Sequence, residues 1–398
     1  MRIAFLTPEY VTESNFDGGL ANYLHRVARG MKQRGHDVEI FTRSDQNETV
    51  YHEGILVNRV KDNGFIFKCV NRLTRYRFRQ TLNILSLSHC LRKSLLKRHR
   101  HQHFDIVQAS SYLACGLFST FCRPAPIISR ISSYEPLWRK FYSKRLTRQQ
   151  RFREWLELLA LRRSNAVYAP SELLCRVLRE NANIEADVLR PPFFIETNNL
   201  DESIYKKHLM EKKYLVFFGS IGLLKGGEAL ARSLPDLLAT YPKMFFVFAG
   251  KVFGGPENKS MLDYIKDKTG RYSNQIIYLG VLPHYQLYPI VKYSQAVVLP
   301  SLIDNLPNTM LEAMALGKVV IGTRGSSFEE FIDDGISGIL VEADNSAQLF
   351  RAMERVWNMS EEERINIGRV AQQRIASLSP EIACHKLEQY LQQFIRSR

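Results

Sequence analysis

The sequence predicts two doubly wound α/β domains with largely parallel sheets, and three observations lead to this. The chain has 398 residues, 45% of them apolar, which suits two cores of ordinary size better than one. A unit of strand, glycine turn and helix begins twice, at RIAFLT with DGGLANYLHRVARGMKQRGHDVEIFTR and again at YLVFFGSIGLLKGGEAL. Later come the short unbroken apolar runs MFFVFAG, NQIIYLG, AVVLPS and KVVIGT, as strands covered on both faces require.

RIAFLT is expected to be the first buried strand. Pro8 and Glu9 interrupt its apolar run before a secretory core could form. Leu20, Leu24, Val27, Ala28 and Met31 recur at helical spacing, and Gly35 suits the helix stop. FDIVQAS and PAPIISRISS read as further strands separated by a helical YLACGLFSTF, and FREWLELLALRR as a helix leading to the strand SNAVYAPS. These elements make a first domain over residues 1–190. Paired prolines and polar residues in VLRPPFFIETNNLDESIYKK mark an interdomain linker, 191–213. The second domain is expected over 214–380, followed by a C-terminal helix, 381–398, packing back toward the first. In such folds ligands bind beyond the carboxyl ends of the strands, here in a cleft between the domains.

No stretch approaches the eighteen apolar residues of a membrane span, so a cytoplasmic chain is expected. The six cysteines lack zinc-site spacing and read as reduced thiols. The net charge of +15 is concentrated in the first half, with ten Lys or Arg from Lys68 to Arg100 and seven from Arg139 to Arg153. Such runs attract polyanions or anionic membrane surfaces, or are plain solvated surface. Neither helix-turn-helix nor finger spacing accompanies them, so nucleic acid is not an expected partner.

Four segments carry candidate chemistry. Gly18 and Gly19, before the first helix, fit a turn whose amides face an anion, and equally a turn needing only positive φ. In GSIGLLKGGEAL, Lys225 is placed to neutralise a diphosphate, or is a solvated loop lysine. In LPSLIDNLPNTMLEAMALGK, Asp304 lies near a helix start in which Pro307 suits the first turn. Glu312 sits among Met310, Leu311, Ala313 and Met314; it is either the solvent stripe of that helix or a carboxylate that accepts vicinal ribose hydroxyls. The TRGSS loop offers amides and hydroxyls, and Glu329 and Glu330 suit the helix start that follows. The histidines form no clustered ligand pattern, His25 reads as a surface residue, and no protein-bound metal or other cofactor is expected.

Taken together, GGLANYLHRVARGMKQRGHDVEIFT, FDIVQASS, SNAVYAPS, the KG loop, PSLIDNLPNTMLEAMALGKVVIGT and FEEFIDDGISGILVEADN resemble the retaining, nucleotide-sugar-dependent glycosyltransferases of family four. The resemblance runs over nearly the whole chain. It implies the two-domain GT-B fold and hexosyl transfer, as in polysaccharide synthesis, from a nucleotide-diphosphate sugar to a saccharide, lipid-linked or small-molecule hydroxyl. It also implies that Gly18 and Gly19 approach the donor phosphates and that Lys225 meets the diphosphate. Asp304 would lie by the donor sugar, Glu312 on the ribose, and Leu306, Pro307, Asn308 and Thr309 near sugar and phosphate. This chain departs from the family pattern at three places. Asp304 stands for a glutamate, Ser220 for the arginine that accompanies the lysine, and Ser132 for a first-domain histidine, leaving Arg130 as the nearby positive charge. Those departures keep open an alternative, a catalytically impaired nucleotide-sugar or carbohydrate-binding protein on the same fold. The basic first-domain runs, interleaved with Phe67, Phe78, Phe141 and Phe152, then suit an anionic inner membrane face or a soluble polyanionic saccharide acceptor, or are plain solvated surface.

Overall fold

The structure is a computed structural model and describes residues 1–14, 19–62, 64–73, 78–139, 141 and 146–396. The chain divides into two compact units, Met1–Pro192 with Leu378–Arg398, and Phe193–Ser377.

The first unit is built on eight strands: β1 (Arg2–Thr7), β2 (Asp37–Ser44), β3 (Glu48–His52), β4 (Ile55–Lys61), β5 (Ile106–Ser110), β6 (Ile127–Arg130), β7 (Ala166–Ala169) and β8 (Asp187–Val188). Their order is β3-β4-β2-β1-β5-β6-β7-β8, parallel throughout except for β3 against β4. All six residues of β1 are buried, because helices cover both faces of a parallel sheet. The β3–β4 hairpin has no counterpart among the strands read from sequence. It turns on Glu53 and Gly54, both at positive φ (47° and 73°), as a two-residue hairpin loop requires.

Helix α1 (Gly19–Gln33) buries Leu24, Val27, Ala28 and Met31 of the stripe its spacing predicted, together with Tyr23, while Leu20 is half-buried. Each large side chain of that stripe stabilises the unit by about 1.5–3 kcal/mol. Helix α2 (Arg148–Arg163) starts at a capping box made by Thr147 and Gln150. The expected helix over YLACGLFSTF is instead two short turns, Tyr112–Ala114 and Ser119–Cys122. Leu113 and Ala114, both at positive φ, prevent a continuous helix.

The second unit has six strands, all parallel: β9 (Lys213–Phe218), β10 (Met244–Ala249), β11 (Ile276–Tyr278), β12 (Ala296–Val298), β13 (Val320–Thr323) and β14 (Ile339–Val341), in the order β11-β10-β9-β12-β13-β14. Helix α3 (Gly227–Thr240) follows β9, and α4 (Asn308–Ala315) lies between β12 and β13. Residues 193–213, read as linker from sequence, belong to this unit and carry a helix, Ser203–His208. Tyr205 of that helix stacks on Tyr293 at 4.3 Å between ring centroids.

The terminal helix α5 (Pro380–Arg396) packs in the first unit against α1. Gly30 permits close approach, since a Cβ there would lie 2.4 Å from Cys384 Sγ. The Tyr390 hydroxyl donates to Asp187 Oδ2 at 2.8 Å.

In each unit the chain leaves a central strand outward and then returns to its other side, between β1 and β5 and between β9 and β12. Such reversals separate the loops at the carboxyl ends of the two strands, which is where doubly wound sheets hold ligands.

Candidate active site

At the reversal in the second unit, two loops are fixed to each other by backbone contact. Gly226 has φ 80°, and a Cβ there would lie 1.9 Å from the Pro300 carbonyl oxygen, so the β9–α3 loop closes on the β12–α4 loop only with glycine at this position. Leu302 N donates to Leu224 O at 2.9 Å across the same seam.

This seam brings Lys225 and Asp304 into an ion pair. The Asp304 residue is 6% exposed, while a third of the Lys225 side chain remains accessible. Asp304 Oδ2 also accepts from Ser301 Oγ at 3.1 Å, and Oδ1 from Asn305 N at 3.1 Å. Its carbonyl accepts from Ser327 Oγ at 3.0 Å, and the same hydroxyl receives Leu306 N. That bond holds Leu306 at φ 51°, which turns the chain into α4.

Pro307 is the residue before α4, at φ −68° and ψ 126°, rather than within its first turn. Its carbonyl accepts Met310 N at 3.1 Å and Leu311 N at 3.3 Å, and no side chain caps the helix. The exposed Asn308 and half-buried Thr309 therefore stand at the positive end of the helix dipole, suited to an anion. Glu312, one turn on, is 7% exposed, which rules out the solvent-stripe reading. Its Oε1 lies 3.6 Å from Nε2 of the exposed His284, a neighbour that no sequence motif marks. Ser220 is exposed on the β9 loop.

The TRGSS loop is less available than its composition suggested. Gly325 N donates to Glu329 Oε2 at 2.9 Å, Ser327 N to the Asp304 carbonyl at 3.2 Å, and Ser326 Oγ to Thr323 O at 2.9 Å.

The remaining candidates belong to the first unit. Gly18 lies outside the described residues, and Gly19 opens α1, exposed, with no atom within 4 Å of where a Cβ would stand. Arg130 ends β6 and is 6% exposed, its guanidinium 3.4 Å from the centroid of the Tyr23 ring. Arg130 Nε and Gln108 Oε1 are buried and make no hydrogen bond. Both residues line a cavity of about 10 Å³ with Thr7, Tyr23 and Ser110, at the β1/β5 reversal. Burial raises the Tyr23 hydroxyl pKa, and Arg130 partly opposes this.

The second-unit group thus offers an accessible ammonium held by a carboxylate, a helix start with free amides, and a buried carboxylate one turn beyond. Such groups suit a ligand that carries both an anion and paired hydroxyls. Among the described residues no helix is long and apolar enough to cross a membrane.

Comparison with known proteins identifies the family. The model of glycosyltransferase family 4 matches residues 17–191, and that of the group 1 glycosyl transferases matches residues 201–374. A D-inositol 3-phosphate glycosyltransferase of Corynebacterium urealyticum is 25% identical over 181 residues, 45% of this chain and 42% of that one, so the match spans less than half of that relative. An uncharacterised glycosyltransferase of Methanocaldococcus jannaschii is 23% identical over 378 residues and 89% of both chains. HepE of Anabaena, solved in complex with UDP-glucose, shares the fold at a TM-score of 0.69 with 16% identity, over 99% of this chain and 100% of that one. With both units matched by family models and both carrying the parallel sheets the sequence predicted, the chain belongs to the GT-B glycosyltransferases of family four.

Proposed function

We propose that the chain transfers a hexosyl group, with retention of configuration, from a nucleotide-diphosphate sugar to a hydroxyl of a saccharide, lipid-linked or small-molecule acceptor. The observation that carries this reading is the Lys225–Asp304 pair beside the uncapped start of α4, with the buried Glu312 one turn away. In this reading Lys225 and the amides of Asn308 and Thr309 meet the diphosphate, Glu312 accepts the ribose hydroxyls, and Asp304 and Leu306 border the sugar. The C1–O bond to the diphosphate breaks, the acceptor oxygen bonds to C1 on the same face, and the departing phosphate oxygen takes the acceptor proton. Positive charge already in place as that oxygen becomes anionic lowers the barrier. Ser220 leaves Lys225 as the loop's positive charge, so the ammonium moves from Asp304 toward the diphosphate as the donor enters.

UDP is the first nucleotide to test, because HepE of Anabaena binds UDP-glucose on this fold. The acceptor belongs to the first unit in this reading, with Arg130 acting through the Tyr23 ring. The exposed Phe78, Phe152 and Trp155 in and beside the basic runs support attachment to an anionic cytoplasmic membrane face.

The test is calorimetric titration with UDP, GDP, ADP and their sugar conjugates, with Glu312→Ala alongside, followed by transfer assays. Selective binding that the variant loses, followed by turnover, supports the reading. Selective binding without turnover across an acceptor panel would leave a nucleotide-sugar-binding protein in its place, and no binding by the folded chain would remove the donor site altogether.

A further inference from the structure

The fold assembles a second group of side chains that no sequence spacing connects. His25 lies on α1, His52 ends β3, and Glu53 is the first residue of the hairpin turn; the ligand atoms they offer all lie within 4.8 Å of one another. His25 Nε2 is 3.5 Å from Glu53 Oε2, and the His25 and His52 ring centroids are 5.4 Å apart. The other nitrogen of His25, Nδ1, lies 3.3 Å from the hydroxyl of Tyr10, a fully buried residue whose ring stands edge-on to both imidazoles.

Neither the docking of the turn nor its backbone accounts for the cluster. The turn is docked on α1 without the cluster, because Lys32 Nζ donates to the Gly54 carbonyl. Glu53 occupies a left-handed position that hairpins of this type give to Asn, Asp or Gly, so its identity is not explained by the turn. Arg29 also approaches Glu53, at 3.8 Å, but both side chains are about half exposed, and such a pair contributes little.

Two imidazoles and one carboxylate around an open side are a donor set for a borderline divalent ion. A ligating imidazole ordinarily has its second nitrogen held by a neighbour, which fixes the ring and its tautomer. Tyr10 occupies that position for His25, leaving Nε2 directed toward Glu53.

We propose that His25, His52 and Glu53 form a site for a divalent transition metal of the Zn²⁺ class, which ties the edge hairpin β3–β4 to α1, with Tyr10 as the positioning residue for His25. None of the four is among the groups assigned to donor or acceptor, so the site stands or falls apart from the transferase reading.

The probe is Zn²⁺ alone, titrated calorimetrically into the full chain after chelator treatment, with Mg²⁺ as the hard-ion control. His99 and His103, whose ring nitrogens are 3.0 Å apart, and the exposed Cys122 are other surface donors, so His99→Ala and Cys122→Ser are placed in the background. The expected result is one Zn²⁺ per chain in that background, with no comparable Mg²⁺ binding. Binding should weaken at least about 10-fold in His52→Ala and about 10-fold in Tyr10→Phe, and disappear in His25→Ala/His52→Ala. Co²⁺ in place of Zn²⁺ should give visible d–d absorption that the same variants remove. Circular dichroism establishes that each variant is folded, and His52→Ala, at the half-exposed end of a hairpin strand, serves if the double variant is not. Absence of Zn²⁺ binding in the folded background, or equal binding with His52 replaced, overturns the proposal.

Discussion

The two strand reversals have the same topology and opposite internal wiring. Between β9 and β12, Asp304 has both carboxylate oxygens and its carbonyl bonded, and the loop amides that could vary are tied to Glu329 and Asp304. Between β1 and β5, Arg130 Nε and Gln108 Oε1 are more than nine-tenths buried without a hydrogen bond, and Arg130 rests on an aromatic face. Beside them lies the small cavity they line with Thr7 and Ser110, whereas the polar groups of the second-unit loops are paired within the fold. The difference is that the second-unit end has its loop groups fixed to one another, while the first-unit end presents polar atoms to a cavity. In the proposed reaction the donor is the constant substrate, and its groups fall on the wired end.

The largest expected effect breaks that wiring directly. Gly226→Ala combines a positive φ with a Cβ 1.9 Å from a carbonyl oxygen, so the loop must open. We expect a loss of about 3 kcal/mol or more in urea unfolding, together with loss of nucleotide binding by calorimetry. Gly19→Ala is the matched experiment at the other end. Nothing lies within 4 Å of the new methyl group and the residue opens a helix, so stability should change by less than about 1 kcal/mol. A fall in transfer with unchanged stability would place a substrate at Gly19.

Next in size is the ion pair. Lys225→Ala and Asp304→Asn should each lower turnover by about 100-fold, and the double variant should fall far short of the product of the two. Independent effects would mean that the pair, although formed in the structure, does not act as a unit.

This pair also shows how far the sequence could be read. β1, α1, β9 and the apolar run before Asp304 were legible because burial on both faces leaves an unbroken pattern. Lys225 and Asp304 were legible as separate candidates, since each lies in a loop after a strand. That they touch was not, because it depends on the Gly226–Pro300 contact, which joins segments 74 residues apart. Glu312 was ambiguous in sequence for a simple reason: helical spacing places it among apolar neighbours without saying which face is covered. The β3–β4 hairpin escaped because Glu53-Gly54 is a weak turn signal beside Asn-Gly, and with it escaped the company of His25.

A smaller effect separates the parts of the donor. Glu312→Gln should weaken UDP by about 10- to 100-fold, as expected when a charge-assisted hydrogen bond to a hydroxyl is lost. The same change should leave inorganic pyrophosphate binding unaltered in calorimetry. Equal weakening of both would place Glu312 on the phosphates, or on the fold of α4 itself, and not on the ribose.

The smallest effect concerns stability and sharpens the contrast by locating a buried carboxyl in the first unit. Glu157 on α2 accepts Leu113 N at 3.1 Å, at the positive-φ turn that follows β5. Burial, against the pull of Arg153 and that hydrogen bond and with help from Glu135 and Glu154, pushes its carboxyl from 4.5 up to about 7. Between these two values the folded chain holds a proton that the unfolded chain has released. Stability therefore falls as pH rises through about 4.5 to 7 and is level above it. Glu157→Gln retains an acceptor for Leu113 N and removes the titration. In urea unfolding it should gain roughly 1–3 kcal/mol over the wild type at pH 8, and the two proteins should converge as the pH is lowered toward 4.5. A constant difference between them at every pH would assign the change to packing of the α2 seam and not to the titration of Glu157.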